Sequence, residues 1–385
     1  MEAYLDNSAT TMVFDSVKDI MVRTMTTDFG NPSSLHTKGM EAERYVKTAR
    51  EAVARQLKAE EKEIVFTSGG TEANNMALIG AALANRRRGN HVITTGIEHA
   101  SVLSPVRFLE EQGFRVTYLP VDERGVVRMD ALEEALDEET ILVSVMYVNN
   151  EIGSVQPVAE IARRVHEKNP EILFHVDAIQ AFGKYVIRPK REGIDLLSVS
   201  GHKIHGPKGS GFLYIRDRAK VRPLILGGGQ QKGMRSGTEN VPGIAGLGEA
   251  VTEIYRNHEE RTEALYRRKE RFAEGLSRME DVRINGPRGR EGAPHIVSAS
   301  FAGIRAEVML HALEDAGVYV SSGSACSSQH NKSYSATLTG IGLAKELLDC
   351  TVRFSFSIFT TEEEIDYALE VLGRLVPALR KYRRN

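Results

Sequence analysis

Short apolar runs and longer amphipathic stretches take turns along this chain. EIVFT (residues 63–67), HVITT, RVTYL, TILVSVMYV, ILFHVD, DLLSVS and GFLYI (residues 211–215) are rich in β-branched and aromatic residues, and they predict seven strands. Between them lie segments with helical spacing, of which the alanine-rich GGTEANNMALIGAALANRRR is the plainest. Strand and helix alternating in this way predict an α/β fold with a mainly parallel sheet covered by helices. The texture changes after about Gly248. There TEIYRNHEERTEALYRRKERFAEGLSRM reads as one long charged helix leading into a smaller α+β domain. The run Arg86 to Arg88 reads as the solvated end of a helix.

Composition narrows the class. A chain of 385 residues exceeds one ordinary core, which points to two domains. With 41% hydrophobic and 26% charged residues and a net charge of -2, it gives no reason to expect a nucleic acid or an anionic membrane as partner. Two cysteines, Cys326 and Cys350, cannot form a disulfide framework or a cysteine-rich zinc site, so a reducing cytosol is the expected home. The start, MEAYLDNSATT, has neither a basic nor an apolar leader region, and no run approaches a membrane span. These features predict a soluble, cytoplasmic protein.

Three stretches carry candidate chemistry. GGGQQKG lacks the G-x-G-x-x-G spacing of a dinucleotide site, and GHKIHGPKG lacks a lysine directly after its second glycine, as a P-loop requires. In TSGGTEANN a predicted strand runs through Gly70 and Thr71 into a helix. Its free N–H groups suit either a phosphate or an ordinary capped turn. HVDAIQ closes a strand with Asp177, and SGHKIHGPKG sets Lys203 on a loop between strands. A phosphate cradle, a lysine amine and a carboxylate together suit pyridoxal 5'-phosphate: the lysine joins the aldehyde, and the aspartate keeps the pyridine nitrogen protonated.

Ten motifs then appear in one order: YLDNSATT, GNPSSLHTKG, FTSGGTEANN, EHASV, VNNEIG, HVDAIQ, SGHKIHGPKGSG, MRSGTEN, SSGSACSS and VRFSF. In this the chain resembles the cysteine desulfurases of the NifS/IscS group, within the class V aminotransferase superfamily of fold-type I pyridoxal phosphate enzymes. The resemblance implies a large cofactor domain over 15–250. A smaller domain would comprise 1–14 and 251–385 and carry a mobile cysteine loop at about 321–336.

Residue by residue, the resemblance makes Lys203 the covalent anchor of the cofactor and Asp177 the partner of its ring nitrogen. It stacks His99 on the ring and gives it a share in proton movement. Asn150 and Gln180 match contacts around the ring oxygen and the substrate, while Gly70, Thr71, Ser200 and His202 match the phosphate cradle. Thr238 corresponds to a residue that reaches the phosphate from a second subunit, which implies a homodimer. Arg353 resembles the arginine that holds the carboxylate of L-cysteine, a task suited to a bidentate guanidinium. Cys326 would take the sulfur as a persulfide, leaving L-alanine.

The SGSAC form resembles the group that hands its persulfide to acceptor proteins, here an iron–sulfur scaffold or a tRNA-thiolation enzyme. Cys350, at the edge of a β-rich run, reads as a packing residue. No metal is expected, since His202, near His205, is assigned beside the phosphate. Two departures from the family stand out. Ser357 replaces a common glycine after the arginine motif. The basic end LRKYRRN is shorter than the extension with which housekeeping members engage a scaffold; it reads either as a solvated helix end or as a dock for an acidic acceptor. A selenocysteine lyase or an aminotransferase on the same fold is the alternative, although an aminotransferase would need no Cys326.

Overall fold

The computed structural model describes residues 1–322 and 334–381. Thirteen strands lie among them: β1 (Ala3–Tyr4), β2 (Ile64–Thr67), β3 (His91–Thr95), β4 (Arg115–Leu119), β5 (Thr140–Met146), β6 (Leu173–Asp177), β7 (Leu196–Ser200), β8 (Gly211–Ile215), β9 (Val282–Asn285), β10 (Ile296–Phe301), β11 (Val318–Tyr319), β12 (Ser321–Ser322) and β13 (Thr351–Ser355). Strands β2 to β8 form one seven-stranded sheet in the order β2-β8-β7-β6-β5-β3-β4, matching the seven apolar runs. Only β8 runs against its neighbours.

Mostly apolar runs form these strands because both faces of the sheet are covered, except along the edge strand β4, where Arg115 and Tyr118 are exposed. Successive side chains point to opposite faces. Leu142, Leu173 and Leu196 accordingly pack into one core with Ala73, Met76, Ala77 and Ala81 of the helix Gly70–Asn85. Their neighbours Val143, Phe174 and Leu197 pack into another, with the helices Thr37–Leu57 and Val241–Ile254. A one-residue slip would exchange the two sets, so register is strongly fixed.

A third core gathers Ala3 and Leu5 from the start of the chain with Phe272, Phe301, Phe354, Phe356 and Leu372. It lies under a four-stranded sheet of order β12-β13-β10-β9. Strand β1 is tied there by parallel pairing with β11, Ala3 opposite Val318. The stretch read as one charged helix is in fact two, Val241–Ile254 and His258–Ser277. Asn257 breaks it with φ 52° and ψ 38°, a left-handed conformation that asparagine tolerates and that stops a helix.

Ser357, the departure from glycine, has no positive φ. Its N–H donates to Thr360 Oγ1 and its hydroxyl accepts from the Phe359 N–H, so a side chain is accommodated there without strain. Cys350 is buried, with its thiol 3.4 Å from the Glu346 carbonyl.

Candidate active site

Because β8 alone is reversed, the C-terminal ends of β2, β3, β5, β6 and β7 share one edge of the sheet, where ligands of α/β folds collect. The segments leaving that edge carry Gly70 and Thr71, His99, Asn150, Asp177 and Gln180, and Ser200 to Lys203. The fold brings these together. Arg353 arrives from β13 of the other sheet, where its Nη1 donates to the Asn150 carbonyl at 2.9 Å.

A strap from Asp6 to Thr11 ties the two sides. Asp6 Oδ1 pairs with Arg353 Nη2 at 2.9 Å, and the carbonyls of Ser8 and Ala9 accept from Lys203 Nζ at 2.5 and 2.7 Å. Thr10 Oγ1 meets His202 Nδ1 at 3.2 Å. Burial and the nearby lysines push the His202 imidazole down to about 4, so it is neutral at physiological pH.

Asp177 ends β6 buried, 4% exposed. Its Oδ2 accepts from Asn74 Nδ2 at 2.8 Å and its Oδ1 from the Ile179 N–H at 3.0 Å. Burial raises its pKa against these bonds and against the charges of His99 and Lys203. His99 caps the helix Ala100–Glu111 by accepting the Ser101 N–H at Nδ1, 3.1 Å away. Burial lowers its pKa, and the cations Lys203 and Arg353 lower it further against the pull of Asp177. The neutral ring therefore carries its proton on Nε2.

Ser200, at the end of β7, closes on the turn before the helix Gly70–Asn85; a Cβ at Gly70 would lie 3.4 Å from Ser200 Cβ and 2.2 Å from Ile179 Cδ1. Gly69 precedes it at φ 150°, in a region that side chains rarely adopt. Thr71 is exposed in the helix's first turn. Thr238 also stands exposed, and no hydrogen bond among the described residues ties it to this cleft. Cys326 lies outside the described residues, as does most of the cysteine loop.

Sequence reasoning overlooked several partners. Asn74 lies within the motif FTSGGTEANN, where an amide side chain on an alanine-rich helical stretch is itself a signal, and the structure buries it. Asp6 pairs with Arg353. Glu98 is buried beside His99, accepting at Oε1 from Thr95 Oγ1 and the Met146 N–H, and burial pushes it up to about 8. Half-buried Lys184 donates to the Lys203 carbonyl at 2.7 Å, and burial pushes it down to about 7.

These residues fit pyridoxal phosphate. The lysine amine, the buried carboxylate and the glycine turn at a helix N-terminus stand at one sheet edge. Among the buried side-chain atoms that find no hydrogen-bond partner are Ser8 Oγ, Asn74 Oδ1, His295 Nδ1 and Arg353 Nε, all in or directly behind this cleft, as befits a site made for a polar ligand. Among the described residues there is no group of three or more His, Cys, Asp or Glu that could hold a metal ion, and no helix long and apolar enough to cross a membrane.

Comparison with known proteins agrees. The profile of the family described as Aminotransferase class-V matches residues 3–368. A cysteine desulfurase IscS of Clostridium botulinum is 46% identical over 382 residues, 99% of this chain and 96% of its own. Among solved structures, a NifS-like protein superposes with a TM-score of 0.93 at 39% identity, covering 98% of this chain and 100% of the other. SspA in complex with cysteine superposes at 0.82, with 35% identity over 93% of this chain and all of SspA.

Proposed function

The chain belongs to the class-V aminotransferase family and within it is a pyridoxal phosphate-dependent cysteine desulfurase that converts L-cysteine to L-alanine, and from that premise we propose how its own residues divide the work. The observation that carries the reading is the strap Asp6 to Thr11, which joins the arginine of one sheet to the lysine of the other. Selenocysteine lyase and aminotransferase activities are not favoured, because the full-length relatives bear the desulfurase name.

Pyridoxal phosphate, when bound, supplies an electron sink that loosens the α-proton and then the Cβ–S bond of the amino acid. Lys203 would anchor it, and its amine would carry the α-proton. Asp177 would oppose the ring nitrogen as a carboxylate, a charge state that the positive ring would restore against burial. His99 would lie against the ring and offer its Nε2–H. Gln180 and Asn150 would contact the ring oxygen and the substrate. Gly70, Thr71, Ser200 and His202 would hold the phosphate, with Thr238 reaching it from a second copy of the chain in a homodimer. Arg353 would offer its fork to the substrate carboxylate.

The thiolate of Cys326 attacks the substrate sulfur, and the S–Cβ bond breaks with its electron pair going to carbon. A persulfide is left on Cys326, and protonation of the remaining three-carbon unit gives L-alanine. The persulfide then passes to an acceptor protein in the cytoplasm, an iron–sulfur scaffold or a tRNA-thiolation enzyme. Residues 15–250 act as the cofactor domain, and 1–14 with 251–385 as the smaller one that brings Arg353 and the cysteine loop.

L-Cysteine radiolabelled at sulfur tests this division. Label should stay on the chain, be released by a thiol reductant, move to an added acceptor and be missing from Cys326→Ser. Label that is retained on Cys326→Ser would refute the assignment. Sedimentation at twice the chain mass is expected for the homodimer; sedimentation as a monomer at working concentration would refute the role of Thr238.

A further inference from the structure

His295 precedes β10, where its carbonyl accepts the Phe356 N–H and so belongs to the smaller sheet. Its ring reaches across to Gln180 on the loop after β6, with Nε2 3.2 Å from Gln180 Oε1. Both side chains are buried.

The hydrogen-bond polarity of this pair can be worked out. Gln180 Nε2 lies 3.0 Å from the Ser8 carbonyl, which can only accept, so the amide turns its N–H2 to Ser8 and its carbonyl to His295. The carbonyl in turn needs a donor, so His295 holds a proton on Nε2. A second proton is excluded, because the ring is enclosed and the cations of Lys184, Lys269, Arg353 and Lys203 surround it. Nδ1 is bare, and it is among the buried atoms without a hydrogen-bond partner.

Ser8 alone does not keep this polarity. Its carbonyl also accepts from Lys203 Nζ, so the Gln180 N–H2 and the reactive lysine share one acceptor. The amide nitrogen has two hydrogens, and a bound ring oxygen would draw one of them, leaving the other to an acceptor shared with Lys203. An amide held only by that shared acceptor could flip and oppose one acceptor oxygen to another.

We propose that His295 is a positioning residue whose Nε2–H holds the Gln180 carbonyl, so that only the amide N–H can be presented to the ring oxygen of the cofactor. The inference rests on the reading that Gln180 contacts that oxygen. It also adds a link between the two sheets to the strap and the Arg353–Asn150 hydrogen bond.

Two measurements test it. The first is nitrogen NMR of the unaltered holoenzyme labelled at histidine, in which the signal that His295→Leu removes should be that of a ring protonated at Nε2 and bare at Nδ1 across neutral pH. The second is the rate of cofactor release into a trapping protein. His295→Leu should speed release about tenfold, the worth of one hydrogen bond to an anionic oxygen, and His295→Gln should restore it largely through its own amide donor. In a Gln180→Ala background, His295→Leu should add nothing. An Nδ1-protonated form of the ring whose signal His295→Leu removes, or an effect of His295→Leu that adds in full to that of Gln180→Ala, would overturn the lock. Unchanged release from Gln180→Ala alone would instead overturn the role of Gln180 and, with it, the purpose of the lock.

Discussion

Asp6 Oδ1 lies 2.9 Å from Arg353 Nη2, joining the first segment of the chain to β13 across 347 positions. The same guanidinium gives Nη1 to the Asn150 carbonyl, while its buried Nε finds no partner. Asp6 therefore aims the arginine and leaves part of its fork open, as the proposed grip on a substrate carboxylate requires. Lysine would keep the charge and lose the fork. Arg353→Lys should raise KM for L-cysteine about tenfold or more, and Asp6→Asn should do so to a smaller degree, both with full cofactor content. Steady-state kinetics with parallel absorbance of the bound cofactor checks this; an unchanged KM in Arg353→Lys would remove the arginine from substrate binding.

Asp177 is held by Asn74 and the Ile179 N–H, so an amide could occupy its place with little change of shape. The amide could not oppose a positive ring nitrogen. Asp177→Asn should cut kcat about a hundredfold or more while the protein still folds and binds cofactor. Asn74→Ala should give a milder loss in the same direction. Rapid-mixing absorbance with L-cysteine would locate the defect, and a kcat near native for Asp177→Asn would contradict the assigned role.

Glu98 supplies a pH test of stability. Its folded pKa is about 8, whereas an unfolded glutamate titrates near about 4.3. Between those values the native state holds the extra proton, so this group's contribution is intact below the unfolded value and is lost as pH rises through 8. Glu98→Gln removes that dependence. Its melting temperature relative to the native protein should climb steadily from pH 5 to pH 8, whereas a difference that stayed constant would mean that Glu98 is not protonated in the fold.

Lys58 ends the helix Thr37–Leu57 in the left-handed conformation, φ 51° and ψ 43°, with its side chain exposed. Glycine adopts that conformation without the Cβ penalty. Lys58→Gly should stabilise the fold by about 0.5–1 kcal/mol in urea unfolding, with the m-value unchanged.

Where sequence and structure agree, the reason is local. The central strands of the large sheet are covered on both faces, so they read as apolar runs, and the motifs that carry Gly70, His99, Asn150, Asp177 and Lys203 each leave a strand at the same edge. Lys203, Asp177, His99 and Ser200 were legible because their motifs carry them there. The break at Asn257 was not, since one residue with positive φ leaves little trace in a charged helical pattern. Nor was the pairing of Ala3 with Val318, a two-residue ladder closed by tertiary contact alone. Asn74, Asp6 and His295 act through another side chain, and no spacing along the chain marks such partners.

Alanine and sulfide formed from L-cysteine with a thiol reductant measure most directly whether Lys203 and Cys326 together remove the sulfur, as proposed. The native protein should give the two in equal amounts, with neither above background in Lys203→Ala or Cys326→Ala. Full alanine production by Cys326→Ala would contradict the account, because the sulfur would then leave without passing through that thiol.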